Sequence, residues 1–99
     1  MEQQQGIYHT LCIGEVREEK KDFKTIVFEE GHAVSYKAGQ YLTLVRFEGG
    51  EEIRRSYSII SSPVLNELLA IGVKRVENGL FSRVLVDNAQ PGDRMLTTG

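Results

Sequence analysis

The densest concentration of binding chemistry in this 99-residue chain is the string Arg55-Ser56-Tyr57-Ser58. On a strand, residues two apart share a face, so the Arg55 guanidinium and the Tyr57 ring project side by side. Arginine offers a planar fork of donors for phosphate, and tyrosine offers a large π face for stacking. A flat aromatic ligand with an anionic tail suits that pair. Ser58 falls on the opposite face and reaches the same ligand only through its backbone N–H or a local bend. A strand with an exposed arginine and a half-buried tyrosine is the ordinary alternative. The second concentration is Asn78-Gly79-Leu80-Phe81-Ser82. At a helix start, free N–H groups and the positive dipole end converge, Gly79 lets a ligand approach the backbone, and Ser82 adds a donor. An anion docks well there, although an Asn/Gly cap with a first-turn serine explains the same residues.

Other reactive side chains are sparse. His9 and His32 have no partner at a recognisable spacing, and Cys12 sits in a strand pattern as a small apolar residue. One cysteine forms no internal disulfide, and the histidines lack zinc-ligand spacing, so no metal site is expected.

The elements that must position these residues are short strands. Apolar and polar residues alternate from Tyr8 to Val16 and from Phe23 to Glu29, with the polar run Glu18 to Asp22 read as their connection. A third strand is expected over Gln40 to Phe47, followed by a hairpin turn at Glu48-Gly49-Gly50-Glu51 and a fourth strand over Arg54 to Ile60. Ser61-Ser62-Pro63 stops that strand. A fifth runs over Leu68 to Val76, and Pro91-Gly92-Asp93 turns the chain into a sixth over Arg94 to Thr98. Between Leu80 and Asn88 the spacing of Leu80, Phe81, Val84 and Leu85 changes to that of a short helix. Six strands and one late helix predict an all-β fold: a six-stranded antiparallel Greek-key barrel, whose closure hides strand edges. Residues 1–6 are expected to be a disordered tail and residues 7–99 the barrel domain.

Composition narrows the class. Twelve Lys+Arg against fourteen Asp+Glu give a net charge of −2, with no broad drive toward nucleic acid or anionic lipid. No apolar stretch approaches the roughly 20 residues that span a bilayer, and Met1-Glu2-Gln3-Gln4-Gln5 lacks signal-peptide regions, so a cytoplasmic protein is expected.

Taken together, the motifs carry a resemblance. Arg55-Ser56-Tyr57-Ser58 resembles the R-x-Y-S/T flavin motif of the ferredoxin–NADP reductase superfamily, and Gly79-Leu80-Phe81-Ser82 resembles its G-x-x-S/T phosphate motif. Gly72-Val73-Lys74-Arg75-Val76 is similar to the family strand along the ribityl chain. Gln90-Pro91-Gly92-Asp93 is similar to its P-G-D turn, and Ala38-Gly39-Gln40-Tyr41-Leu42 to the entry of its third strand. The ordered set covers residues 7–99. Within the superfamily, Glu52 to Ser58 and Val73-Lys74-Arg75 are most similar to the phenylacetyl-CoA oxygenase reductase and hybrid-cluster protein reductase group.

The resemblance implies an NAD(P)H-dependent flavin oxidoreductase passing electrons through flavin to an iron–sulfur or other acceptor. It implies that Arg55 holds the flavin phosphate, Tyr57 stacks on the ring and Ser58 bonds near N5, with Ser56 completing the motif. Val73 and Lys74 would touch the ribityl region, and Gly79, Leu80, Phe81 and Ser82 would cradle the pyrophosphate. FAD is expected over FMN because that loop is the family's usual pyrophosphate site. The sequence has no G-x-G-x-x-G after a strand and no cysteine set for a cluster. It therefore reads as a fragment, inactive alone, whose nicotinamide-binding and iron–sulfur domains are absent. A non-flavin β-barrel interaction or scaffolding module is the competing class. An oligonucleotide-binding barrel is disfavoured by charge and by only eight Phe and Tyr residues.

Overall fold

The computed structural model describes residues 8–32, 34, 36–37, 39–75 and 87–98. The chain forms one antiparallel sheet of six strands: β1 (His9–Lys20), β2 (Phe23–Phe28), β3 (Tyr41–Glu48), β4 (Glu51–Ser58), β5 (Ala70–Lys74) and β6 (Arg94–Thr97). Their spatial order is β4-β3-β6-β1-β2-β5. The two outer strands meet at a single bridge, Ile59 with Ile71, beside which the Ile60 N–H donates to the Ala70 carbonyl at 2.9 Å. Counting that bridge as a joint, β3, β4 and β5 are successive neighbours and β6 returns beside β3, which is Greek-key order. The expected barrel is thus present as a curled sheet, left unclosed along most of the β4–β5 joint.

Alternation selects the core. Leu11, Ile13, Ile26, Phe28, Leu42, Leu44, Ile71 and Val73 are all essentially inaccessible and pack in one cluster. Thr97 is buried among them, and its hydroxyl donates to the Thr43 carbonyl at 2.7 Å, so burial leaves no orphaned donor.

The turns follow local chemistry. Gly49 and Gly50 both have positive φ, 56° and 84°, the backbone of a tight two-residue hairpin with Glu48 paired to Glu51. In Gln90-Pro91-Gly92-Asp93 the Asp93 N–H donates to the Gln90 carbonyl at 3.0 Å, and Gly92 at φ 96° supplies the position a type II turn requires.

Several strand limits differ from those expected. β1 continues through Glu18, Glu19 and Lys20 because the main-chain ladder to β2 holds there whatever the side chains are, which leaves only Lys21 and Asp22 as the turn. The register shifts between Ile13 and Glu15, so the extra residue Gly14 forms a bulge and the inward positions change from Leu11 and Ile13 to Val16. β4 starts at Glu51, three residues early, since the hairpin pairs every residue beyond it. A 3-10 turn at Pro63–Leu65 was not expected. Asp87 and Asn88, the end of the expected helix, are helical; its earlier residues and the tail at 1–6 lie outside the described residues.

Candidate functional site

β4 presents different residues on its two faces. Arg55 pairs with Leu44 and Tyr57 with Leu42, so both project on the core side; Ser56 pairs with Thr43 and Ser58 with Tyr41 on the other side. Tyr57 is half-buried against the core, while Arg55 is exposed at the strand's outer edge. Burial raises the Tyr57 phenol above its ordinary range, and the Arg55 guanidinium partly opposes that rise, as adjacent groups do. The Ser56 hydroxyl is engaged with that of Thr43 at 2.8 Å.

Of two neighbouring arginines, only Arg55 shares the core-side face with Tyr57. Arg54 lies on the opposite face, bonded to Glu52, which also takes the Tyr8 hydroxyl. These bonds hold the Glu52 carboxyl below its usual range, that of Tyr8 ahead of that of Arg54.

The main chain adds what the sequence reading missed. In an antiparallel ladder, hydrogen-bonded and non-bonded pairs alternate. The Phe28 N–H bonds the Leu69 carbonyl and the Arg75 N–H bonds the Asp22 carbonyl, so alternate β5 residues direct their polar groups at β2. Ala70, Gly72 and Lys74 direct theirs the other way, toward β4. The same alternation on β4, set by the Ile59 N–H to Gln40 carbonyl bond at 2.9 Å, turns the groups of Arg54, Ser56 and Ser58 toward β5. Ala70 finds Ile60 across the joint. Beyond it, no ladder joins β4 to β5 among the described residues. The result is a seam closed at Ile59 and Ile71 and open toward Arg55, where the Arg55 guanidinium donates to the Arg54 carbonyl at 2.7 Å. An alternating strand pattern tells nothing about which of its edges stays unpaired.

The remaining sequence-predicted residues divide into two groups. Val73 is fully buried and pairs with Lys24 of β2, whereas Lys74 is exposed at the end of β5. Gly79, Leu80, Phe81 and Ser82 lie outside the described residues, between β5 and Asp87. Arg75 bonds the Asp87 carboxylate at 3.2 Å and so ties the two ends of that segment together.

A cation and an aromatic ring on one face, beside a row of main-chain donors and acceptors, fit a planar heteroaromatic ligand with an anionic tail. FAD is such a molecule. Among the described residues no group of three His, Cys, Asp or Glu side chains is placed to hold a metal ion, and no helix is long and apolar enough to cross a membrane.

Comparison with known proteins points the same way. The family model for the oxidoreductase FAD-binding domain matches residues 13–99. The chain is 36% identical over 89 residues to a component of the 1,2-phenylacetyl-CoA epoxidase of Escherichia coli, covering 86% of this chain and 25% of that protein. It is 38% identical over 93 residues to the ferredoxin reductase component of 3-ketosteroid-9-alpha-monooxygenase from Mycolicibacterium smegmatis, covering 86% and 26%. Among solved structures, a ferredoxin NADP+ reductase from Neisseria gonorrhoeae with bound FAD and NADP superposes with a TM-score of 0.76 at 25% identity, over 92% of this chain and 36% of that one. The chain thus spans about a quarter of the length of these curated relatives. Matched over residues 13–99, it belongs to the oxidoreductase FAD-binding domain family and shares its fold with the flavin domain of a ferredoxin NADP+ reductase.

Proposed function

We infer that this chain is the flavin-holding domain of an NAD(P)H-dependent reductase, with FAD lying along the open seam between β4 and β5. What supports this reading is that Arg55 and Tyr57 share one face of β4, whose alternate main-chain groups are directed at a joint with a single bridge among the described residues. When bound, FAD would supply hydride and single-electron redox chemistry that the side chains here do not.

The chain's own residues bind and orient. Arg55 neutralises phosphate charge with guanidinium donors not used on the Arg54 carbonyl. Tyr57, a phenol neutral at ordinary pH and pushed further up by burial, offers an uncharged ring for stacking. The Ser58 N–H meets the polar edge of the ligand, with Ser56 and Lys74 beside it. Val73 acts through the core, keeping water from beneath the seam. Gly79, Leu80, Phe81 and Ser82 cradle the pyrophosphate, as their motif suggests, and favour FAD over FMN. The barrel spans residues 7–99. The nicotinamide-binding domain belongs to another part of a longer cytoplasmic reductase, and an iron–sulfur protein or domain receives the electrons. The relatives' names as reductase components of oxygenases support this order of transfer.

Adding FAD to the purified chain is expected to give saturable binding with altered flavin absorbance and fluorescence. Arg55→Ala weakens that binding by about 1.5–3 kcal/mol, the range for a hydrogen bond to a charged group. An unchanged Kd removes Arg55 from the site, and a chain that binds neither FAD nor FMN leaves the scaffolding reading in its place. The flavin-loaded chain alone is expected to oxidise NAD(P)H far below the roughly 1–1000 s⁻¹ of typical enzymes.

A further inference from the structure

Away from the seam's open end, the outer face of β1, β2 and β5 carries a groove of about 340 Å³. Its floor is Thr25, Val27 and Ala70, outward-facing residues that are nonetheless buried. Its walls come from Glu15, Arg17 and Glu19 of β1 and from Ile60, Glu67 and Leu68 of the β4–β5 connection. Three carboxylates against one guanidinium leave the lining at a charge of −2. Arg17 is committed to Glu15 through bonds of 2.8 and 3.2 Å. Glu19 accepts from the Thr25 hydroxyl at 3.0 Å and Glu67 from the Ser62 N–H at 2.6 Å; Glu19 also feels the Arg17 charge, but neither carboxylate forms a direct ion pair among the described residues.

The connection is unusually apolar. Val64 and Leu65 are 89% and 70% exposed, and Ile60 and Leu68, which line the groove, are 50% and 43% exposed. Scattered exposed aliphatics are ordinary, but four on one connection beside a groove mark a contact surface. The connection is also braced. The Ala70 N–H bonds the Ser61 hydroxyl at 2.9 Å, the Glu67 N–H bonds the Ser62 carbonyl at 3.1 Å, and the Tyr36 hydroxyl bonds the Glu67 carbonyl at 3.1 Å. A surface ordered in advance loses less freedom when it is covered.

We propose that this groove docks a basic, aliphatic-flanked segment of a partner protein. One lysine or arginine lays its stem over Val27 and Ala70 and its charge against Glu19 and Glu67, while neighbouring apolar residues cover Leu68 and Ile60. Ile60 and Ala70 also close the end of the seam, so the docked partner sits beside it. That proximity to flavin rests on the functional reading above; the docking does not.

The test is an amide NMR titration of the full chain, with and without FAD, using the capped peptide acetyl-Leu-Lys-Leu-Arg-Leu-amide and an acidic twin carrying glutamate at both charged positions. The basic peptide is expected to shift amides at 15–19 and 60–70. Its affinity falls about five-fold in Leu68→Ser and in Glu67→Gln, which keeps the acceptor for Ser62, and about ten-fold between roughly 50 and 500 mM salt. No shift at millimolar peptide, equal shifts with the acidic twin, or concentration-dependent shifts of the same amides in the chain alone overturn the proposal, the last in favour of a second copy. Peptide docking without FAD binding supports the groove and counts against the flavin reading. FAD binding without peptide shifts overturns the groove alone.

Discussion

The two edges of β5 differ sharply. Toward β2, five consecutive residues are laddered, from Phe23 with Lys74 to Val27 with Ala70. Toward β4, the same strand keeps one bridge, at Ile71, and then parts. Both joints rest on one apolar core, so the difference lies in main-chain pairing and not in side-chain hydrophobicity. A completed ladder consumes its donors and acceptors internally, whereas an interrupted one holds them in fixed directions for something else. On the proposed reading, the laddered edge carries stability and the open edge carries recognition.

The largest expected break is Ile71→Ala. Ile71 is fully buried where both joints meet, and truncation there costs about 2–5 kcal/mol, read from urea unfolding. A loss below about 1 kcal/mol would mean the two edges do not share a core. Gly72→Ala comes next. An added Cβ would stand 2.9 Å from the Phe23 ring, forcing the ring or strand to move at about 1–3 kcal/mol of stability. Movement of β5 toward the seam would also weaken FAD, while movement of the ring alone would spare it.

Ser58 separates main chain from side chain. Ser58→Pro removes an N–H directed at the seam, a position where an edge strand tolerates proline, and FAD affinity is expected to fall by about 0.5–1.5 kcal/mol. Ser58→Ala leaves affinity nearly unchanged; the reverse ranking would assign recognition to the hydroxyl.

The smallest effects are in pH. Because burial raises the folded Tyr57 phenol, its protonated form is favoured in the fold. That contribution is complete below the unfolded value near about pH 10 and is lost as pH rises through the folded one. Glu52 has the opposite sign: its lowered carboxyl contributes above the unfolded value near about pH 4.3 and loses the contribution on acidification. Urea midpoints against pH should lose part of their alkaline slope in Tyr57→Phe and part of their acid slope in Glu52→Gln. Unchanged slopes would detach these groups from stability.

Much of this was legible in the chain. Glycines at 49, 50 and 92 marked turns because positive φ is a local demand. The Arg55 and Tyr57 spacing was enough to place both on one face. The start of β4 was not legible, since Glu51, Glu52, Arg54 and Arg55 leave no alternation to read on an edge strand exposed on both faces. The Gly14 bulge was hidden because alternation resumes one residue out of step. The Tyr8, Glu52 and Arg54 network joins residues 44 positions apart and has no local signature. Residues 79–82 of the phosphate motif lie outside the described residues, so the family likeness carries that half of the site.

By itself, the sequence determined where the chain turns and which arginine and tyrosine face together, because each follows from neighbours within a few positions. Only the tertiary structure decided that β4 and β5 meet once and then diverge, and that small outward residues of β2 and β5 end beneath an acidic groove. Those outcomes depend on the curl of six strands and on a bulge far along the chain, so no local pattern could contain them.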